Sequence, residues 1–353
     1  MERSVETRIA EVRAVALAAR AVVDRRDELT AAIVESTGLS AAGVELALTR
    51  HLELDASDAE LRRLVAQAGD ASRVAVILSA NVFVGALRAV AIARAASADV
   101  VVRPSRRDPT FARALVEAAS DPAIRLDEGL DVARVEEGEI HVYGHDATIA
   151  DIRARLRPNV RLVGHGSGMG VAWITRGADL AVSARGLAED VVAFDQRGCL
   201  SPRIALVEEG TTRTSSRADA FAEALHGELE RFGIEIPRGP LPAEERAASD
   251  RYVATMTYAC RALVGTQHAI GIAPPGAPMV PCPAYRHVHV AACTTEDDAL
   301  ALLEPLARSI VAFGSDDEAS ARRLAPKWAR VSALGRMQRP RLDGPVDLRG
   351  GAA

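Results

Sequence analysis

The chain has 353 residues, of which 48% are hydrophobic and 26% charged, and its formal net charge is −5. This length is enough for two domains with separate cores, and the composition is that of a globular protein. The negative charge, without a concentrated basic stripe, excludes nucleic acid from the expected partners.

Helical patterns fill the first seventy residues. Apolar periodicity predicts a helix over 5–36 that stops at Gly38. A second helix is predicted from an N-cap at Ser40 to about His51, and a third over 55–65. None of these helices carries a residue pattern that indicates chemistry.

Strands and helices then alternate along the chain. Strands are predicted at 74–78, 100–102, 139–143 and 160–163, and helices at 83–96, 109–119 and 148–156. This alternation predicts a parallel, doubly wound sheet, whose ligands bind beyond the carboxyl ends of the strands. The most apolar window, 74–93, contains Asn81 and Arg88, so we expect a buried strand plus helix there rather than a membrane span.

A second region of alternating elements begins after Ala178. Helices are predicted at 179–193, 218–231, 243–262, 296–307 and 317–324, and strands at 204–207, 269–272, 288–292 and 310–313. Residues 334–345 are rich in Gly, Pro and Arg and are expected to be irregular. We therefore predict two α/β domains, at 1–172 and 173–330, followed by a tail at 331–353.

A glycine-rich run at 164–170 is the nearest match to a dinucleotide fingerprint. The GxGxxG pattern fails because Met169 or Val171 stands where the third glycine belongs. We expect a flexible loop at this position.

The four cysteines are scattered and form no CxxC pair, which indicates thiols in a reducing cytoplasm. The N-terminus lacks the apolar core of a signal peptide, so a cytoplasmic location is expected. Cys199 lies in a glycine-containing turn between a predicted helix and strand, which makes it a candidate nucleophile. The alternative is a small buried hydrophobe, which is our interpretation of Cys260, Cys282 and Cys293.

Several segments in chain order resemble the aldehyde dehydrogenase superfamily. They are I-L-S-A-N at 77–81, V-V-R-P-S with D-P at 101–109, H-V-Y-G-H at 141–145, and Q-R-G-C-L-S-P at 196–202. Further along, P-A-Y-R at 283–286 and the ending at 330–344 resemble fatty acyl-CoA reductases of the luminescence type. The resemblance implies an α/β, aldehyde-dehydrogenase-like fold: two doubly wound parallel-sheet domains with a helical N-terminal segment, the first domain binding dinucleotide and the second carrying the nucleophile.

The same resemblance implies roles for two residues in catalysis. Cys199 would attack a thioester carbonyl and expel coenzyme A. The side-chain amide of Asn81, with the Cys199 backbone N–H, would hold the developing oxyanion. On the residues alone, Asn81 is equally explained as the N-cap of the helix that follows.

Implied cofactor contacts lie in the two segments that precede the nucleophile. Arg103, Pro104 and Ser105 match the family's cofactor strand, and Gly144 and His145 match its turn under the dinucleotide. Arginine can bind a 2′-phosphate, so NADPH is favoured over NADH.

The glutamate that activates water in hydrolytic aldehyde dehydrogenases is absent from this chain. Its region reads V-G-H-G-S at 163–167, and no Asp or Glu occurs between Ile152 and Ala178. His165 could replace that base, but we interpret it as a neutral loop histidine. Without a base for water, a thioacyl enzyme should persist until hydride or a thiol takes it, which favours reduction of an acyl-CoA to an aldehyde.

Two other functions remain open from the sequence. One is an acyl-phosphate reductase of the same fold, resembling glutamyl phosphate reductase. The other is a non-catalytic scaffold that binds an acyl-transfer partner. We expect a homo-oligomer and, from the family, an acyl-transferring or acyl-activating protein partner.

No metal site is expected from the sequence. His287 and His289 face one side of a predicted strand, as metal ligands sometimes do, but no third ligand is evident. We interpret both as solvated strand histidines, and Asp190 as part of a solvated helix face.

Overall fold

The structure is a computed structural model that describes residues 3–210 and 216–349. The chain forms two compact units, and each is described here by itself. The first unit comprises the described parts of Met1–Ser167 and Arg339–Ala353, and the second comprises those of Gly168–Gln338. Residues 168–172 thus belong to the second unit, and the segment predicted as a tail is divided between the two.

The first unit begins with helices. Its described helices are α1 (Val5–Asp24), α2 (Arg26–Thr37), α3 (Ala41–Arg50), α4 (Asp58–Gln67), α5 (Gly85–Ala96), α6 (Thr110–Ala119) and α7 (Asp146–Arg155). The single helix predicted over 5–36 is two helices, because Arg25 leaves the helical conformation with φ −100° and ψ 16°. Gly38 ends α2 in the left-handed conformation, and Ser40 caps α3, both as predicted.

A parallel sheet forms the centre of the first unit. Its strands are β1 (Val74–Ile77), β2 (Val100–Arg103), β3 (Ile124–Leu126), β4 (Gly138–Tyr143) and β5 (Val160–His165), in the order β3-β2-β1-β4-β5. Every pair in this order is parallel. The carboxyl ends of these strands therefore meet at one edge, where ligands of doubly wound sheets bind.

The second unit is built around a larger sheet. Its strands are β6 (Met169–Ile174), β7 (Pro202–Glu208), β8 (Arg261–Val264), β9 (Ala269–Ala273), β10 (His287–Cys293), β11 (Ile310–Ser315) and β12 (Arg330–Ala333). Their order is β12-β11-β6-β7-β10-β9-β8, and β8 alone among these strands runs antiparallel to its neighbour. The described helices are α8 (Leu180–Val192), α9 (Arg217–Glu235), α10 (Ala243–Ala259), α11 (Glu296–Leu303) and α12 (Glu318–Leu324).

The most apolar window of the sequence lies in the core of the first unit. All four residues of β1 are buried, and so are the residues of α5 from Ala86 to Ala96. In the described residues no single helix is long and apolar enough to cross a bilayer; α2 and α3, bent by 115°, pass that test of length and composition only as a pair.

Candidate active site

Cys199 lies in the second unit, in the segment between a 3₁₀ turn at Ala193–Gln196 and the amino end of β7. None of the four cysteines, all within the described residues, forms a disulfide. Cys282 and Cys293 are buried, and burial raises the pKa of each thiol to about 12, so both stay protonated at neutral pH. Cys199 and Cys260 are partly exposed. Burial thus removes two of the four thiols as candidate nucleophiles.

The backbone just before Cys199 is strained. Phe194, Asp195 and Gln196 have φ values of 53°, 51° and 61°, in the left-handed region that non-glycine residues rarely adopt. Tyr285 and Arg286 have φ values of 67° and 72°. These five account for all but one of the non-glycine residues with positive φ in the described chain. Each such residue costs on the order of 1–3 kcal/mol, so surrounding contacts must hold the two segments in place.

An ion pair joins the two strained segments. Arg286 donates from Nη2 (2.7 Å) and Nε (3.0 Å) to Oδ1 of Asp195, and both side chains are at most 3% exposed. Asp195 Oδ2 accepts from the Gly239 backbone N–H at 3.0 Å. Arg286 Nη1 donates to the carbonyl of Ile236 at 2.8 Å. The pair is therefore buried with its remaining polar atoms satisfied, the condition under which a buried ion pair is tolerated.

Gln196 adds a second connection between the same segments. Its Nε2 donates to the carbonyls of Pro202 and His287, each at 2.6 Å, and its Oε1 accepts from the His287 N–H at 2.9 Å. The side chain thereby bridges the amino ends of β7 and β10. We call Asp195, Gln196 and Arg286 the loop clamp, since together they fix the backbone that carries Cys199.

The prediction that His287 and His289 are solvated is wrong. Both are buried, at 2% and 0% exposure, because β10 is an internal strand of the sheet. His287 bonds to Ser249 Oγ at 2.7 Å, and His289 Nδ1 lies 3.2 Å from Tyr252 Oη. Burial lowers the pKa of each imidazole to about 4, so both are neutral at pH 7.

The glycine-rich run is not a flexible loop, contrary to the prediction. Its residues complete β5 and begin β6, and only 166–168 lie between the strands. A Cβ on Gly170 would collide with the Leu200 carbonyl and lie 2.7 Å from Met337 Cε. One on Gly168 would lie 3.4 Å from the Cys199 carbonyl. These glycines let β6 approach the nucleophile segment closely, and this close contact explains why the run is glycine-rich.

Asp190 is another buried carboxylate, and the prediction that it lies on a solvated helix face is wrong. It is fully buried on α8, not on a solvated face. It accepts from the backbone N–H groups of Gly335 (2.6 Å), Met337 (2.9 Å) and Gln338 (3.4 Å). Burial raises its pKa to about 8, against the lowering effect of these donors. Asp190 thus anchors the segment that places Met337 beside Gly170.

The candidate cofactor residues lie in the first unit, at the carboxyl edge of its sheet. Arg103 is the last residue of β2 and donates to the carbonyl of Leu130 at 3.1 Å. Burial, and then the charges of Arg106 and Arg155, lower the pKa of Arg103. Pro104 and Ser105 follow the strand. Asp127 and Asp131 act in the opposite direction, and Arg155 donates to Asp131 at 3.0 Å, so this corner carries charges of both signs.

Asn81 is at the same edge, in the loop between β1 and α5, and is partly buried. The alternative interpretation of Asn81 as an N-cap is wrong, because the N-cap of α5 is Val84, which makes no side-chain cap bond. The amide of Asn81 is therefore not committed to capping this helix.

Gly144 and His145 form the turn between β4 and α7. His145 occupies the N-cap position of α7, without a side-chain cap bond. A Cβ on Gly144 would meet nothing nearer than Thr148, at 3.9 Å. Space beside glycine at a helix N-terminus is the arrangement that binds anions, although the first-turn carboxylate of Asp146 opposes this effect.

Buried polar atoms at this edge lack hydrogen-bond partners among the described residues. They are Tyr143 Oη and both ring nitrogens of His165. The two rings stack with centroids 4.4 Å apart. Burial raises the pKa of Tyr143 and lowers that of His165 to about 4, so both are neutral at pH 7. Unpaired buried donors and acceptors cost about 1–3 kcal/mol each, and a bound dinucleotide, rich in polar atoms, fits this edge.

Two features of the first unit have no clear signal in the sequence. Asp146 Oδ1 accepts from the Ser167 N–H at 3.0 Å, so the fold brings a carboxylate to the glycine run that lacks one in its own sequence. A cavity of about 430 Å³ lies against β1 and β2 and is lined in part by Arg73, Arg125 and Asp127.

Comparisons with known proteins agree with this arrangement. The family model described as acyl-CoA reductase (LuxC) matches residues 29–349. No curated protein sequence matched the chain. Its structure is similar to three solved structures, each covering 93–94% of this chain. Betaine aldehyde dehydrogenase from Staphylococcus aureus is 18% identical with 76% of that chain covered and a TM-score of 0.68.

The other two similar structures are also dehydrogenases or carry a dinucleotide. An NAD-dependent aldehyde dehydrogenase from Sinorhizobium meliloti is 16% identical, with 75% of that chain covered and a TM-score of 0.65. PnpE from a Pseudomonas species, solved with nicotinamide adenine dinucleotide, is 16% identical, with 78% covered and a TM-score of 0.69. At these identities the similarity shows the fold, which is that of aldehyde dehydrogenases.

Proposed function

The chain belongs to the acyl-CoA reductase (LuxC) family, and from that premise we propose that it reduces a fatty acyl-CoA thioester to an aldehyde with NADPH, through an acyl group carried by Cys199. The proposal rests on one observation. A partly exposed cysteine follows a strained backbone turn that a buried ion pair holds in place. Strain of this kind persists where the surrounding structure fixes a functional group.

In the first step the thiolate of Cys199 attacks the thioester carbonyl carbon. A carbon–sulfur bond forms to Cys199, and the bond to coenzyme A breaks, so its sulfur leaves as a thiolate and takes up a proton. The loop clamp contributes by holding the Cys199 backbone in one conformation before substrate arrives. Positioning a nucleophile in advance lowers the entropic part of the barrier.

We assign the oxyanion contacts to Asn81 and to the backbone N–H of Cys199. Their donors would hold the negative charge that develops on the carbonyl oxygen. Removal of one such donor typically costs 2.7–4 kcal/mol of transition-state stabilisation, so roughly 10²–10³ in kcat.

We assign cofactor binding to Arg103, Pro104, Ser105, Gly144 and His145. When bound, NADPH supplies the hydride that converts the Cys199 thioester to a hemithioacetal. The hemithioacetal releases the aldehyde as its bond to Cys199 breaks and the thiolate is restored. The guanidinium groups of Arg103 and Arg106 favour the 2′-phosphate of NADPH over the hydroxyl of NADH.

Release as aldehyde rather than acid is expected because the segment 163–167, which matches the family's water-activating glutamate motif, contains no acidic residue. Val163 stands where the family glutamate is expected, and it cannot take a proton. The thioester on Cys199 should therefore survive until it is reduced.

The test is NADPH oxidation by the full chain in the presence of acyl-CoA, acyl phosphate or neither. We expect oxidation that depends on acyl-CoA, yields aldehyde, and is lost in Cys199→Ser, with Cys260→Ser as the matched control that retains it. Turnover only with acyl phosphate would indicate the second type of reductase. Absence of turnover with either substrate would favour a scaffold that binds an acyl-transfer partner.

A further inference from the structure

A cluster of two histidines and a glutamate lies in the second unit, on α9 and the turn between β8 and β9. His226 and Glu230 are four residues apart on α9, so their side chains share one face of the helix. His268 lies just before β9. Its Nε2 is 2.9 Å from His226 Nδ1, and its Nδ1 is 3.7 Å from Glu230 Oε1. One ligand atom from each residue lies within 4.8 Å of the others.

The turn that carries His268 is shaped around this cluster. A Cβ on Gly265 would collide with Glu230 Oε1 and with the ring of His268. Thr266 fixes the carboxylate by donating its backbone N–H to Oε1 at 2.7 Å. Glycine at 265 is thus what allows the carboxylate and imidazole to sit so close to the turn.

We propose that His226, Glu230 and His268 form a site for a divalent transition metal of the zinc class. Two imidazoles and a carboxylate are a donor set that zinc accepts, and water would complete the coordination sphere. Ligand atoms of a tetrahedral zinc site lie about 3.3 Å apart, so small side-chain rotations would bring the three donors into range.

Such an ion would join α9 to the hairpin at the edge of the sheet. In this hairpin β8 is the outer strand, and within the described sheet it pairs with β9 alone. An ion held by α9 and the β8–β9 turn would therefore stabilise this edge strand. The proposed site is independent of the role we assign to Cys199.

The experiment uses the full chain, stripped of metal by a chelator and titrated with Co²⁺ as a spectroscopic probe. We expect saturable binding of one Co²⁺, visible as d–d absorption, which Zn²⁺ displaces. His226→Gln and His268→Gln should each weaken binding at least about tenfold. Glu235→Gln, on the same helix and away from the cluster, should bind as the unsubstituted chain does.

A second measurement keeps the test decisive if His268→Gln folds poorly. Zn²⁺ should raise the midpoint of thermal unfolding of the unsubstituted chain and not that of His226→Gln, whose side chain is only half-buried. Absence of Co²⁺ binding would overturn the proposal, as would binding by both histidine variants as tight as that of the unsubstituted chain. A cobalt–thiolate charge-transfer band would place the ion on a cysteine and would overturn it as well.

Discussion

Around Cys199 the polar groups of the loop clamp are paired within the chain, whereas at the carboxyl edge of the first sheet several are not. Asp195 and Gln196 together accept or donate at every heteroatom of their side chains. By contrast, Tyr143 Oη and both nitrogens of His165 have no hydrogen-bond partner in the described residues. The loop clamp satisfies its own hydrogen bonds, whereas the carboxyl edge of the first sheet keeps buried polar atoms that a ligand would satisfy.

This contrast indicates how the proposed reaction divides between the two units. A nucleophile must have a fixed position before substrate binds, and strain offset by internal contacts provides this. A cofactor site needs polar groups that become satisfied on binding. We therefore expect substitutions at the loop clamp to affect stability and the reactivity of Cys199, and substitutions at the carboxyl edge to affect the KM for cofactor.

The largest effect is expected from Arg286→Met. This change removes the cation and leaves the Asp195 carboxylate buried, which typically costs 3–5 kcal/mol. Urea unfolding should show that loss of free energy of unfolding. Arg246→Met, at an exposed position on α10, is the matched control and should change stability little.

The effect of the loop clamp can also be measured at Cys199. Arg286→Lys keeps the charge but not the planar guanidinium group. In this variant the rate at which iodoacetamide alkylates Cys199 should change by a larger factor than the equilibrium constant for unfolding does. Unchanged alkylation in both Arg286 variants would contradict a positioning role for the loop clamp.

Acid should destabilise the second unit through its buried, neutral histidines. Asp190 acts in the opposite direction, because burial raises its pKa to about 8 and its carboxyl group takes up a proton in the folded state first. Burial lowers the pKa of three histidines in the second unit to about 4: His268, His287 and His289. In the first unit the same shift is found at His165. Because the unfolded histidines have a pKa near 6.5, their contribution is full above that pH and is lost as pH falls towards 4. Each complete loss is about 3 kcal/mol.

This acid response can be measured residue by residue. Urea unfolding between pH 7 and 4.5 should show a shallower decline in His289→Asn than in the unsubstituted chain. His145→Gln, at an exposed position, should leave the decline unchanged. An identical decline in all three proteins would contradict buried, neutral histidines in β10.

A smaller loss of stability is expected from Gly170→Ala. The added methyl group would meet the Leu200 carbonyl and Met337, and overpacking of this kind costs about 1–3 kcal/mol. Gly227→Ala on α9 is the control, since nothing lies within 4 Å of its Cβ position. Thermal unfolding should show Gly227→Ala equal to or more stable than the unsubstituted chain, by up to about 1 kcal/mol. Equal stability of the two variants would argue against close packing of β6 on the nucleophile segment.

The smallest effect concerns the carboxyl edge. Arg103→Ala should raise the KM for NADPH by about tenfold, the cost of one charge-assisted hydrogen bond, with kcat little changed. The KM for NADH should rise less, because NADH lacks the 2′-phosphate. Steady-state kinetics with both cofactors measure this, and Arg107→Ala, an exposed position in the loop that follows β2, is the control. An equal rise in the KM values for both cofactors would contradict a preference for NADPH at Arg103.

The sequence predicted the elements whose side chains follow a simple pattern. β1, β2 and β9 follow continuous apolar runs, and each was predicted within a residue or two of its limits. The short strands β3, β8 and β12 were missed, because most of their residues are only partly buried and they lack such a run. β6 was missed because the glycines before it indicated a loop.

The nucleophile segment could be predicted from local sequence, but its support could not. Cys199 stands out as a thiol in a turn between helix and strand. Asp195 and Arg286 are 91 residues apart, and only the fold shows that they meet. His287 and His289 alternate like surface residues, although their strand is internal to the sheet. Periodicity reports side-chain direction, not what covers the face.

The most direct test of the account is the intact mass of the chain after mixing with acyl-CoA in the absence of NADPH. We predict a stoichiometric mass increase equal to one acyl group, mapped to the peptide that contains Cys199, which disappears on addition of NADPH and never forms in Cys199→Ser. No acyl adduct in the unsubstituted chain, or an adduct that persists in Cys199→Ser, would contradict the account.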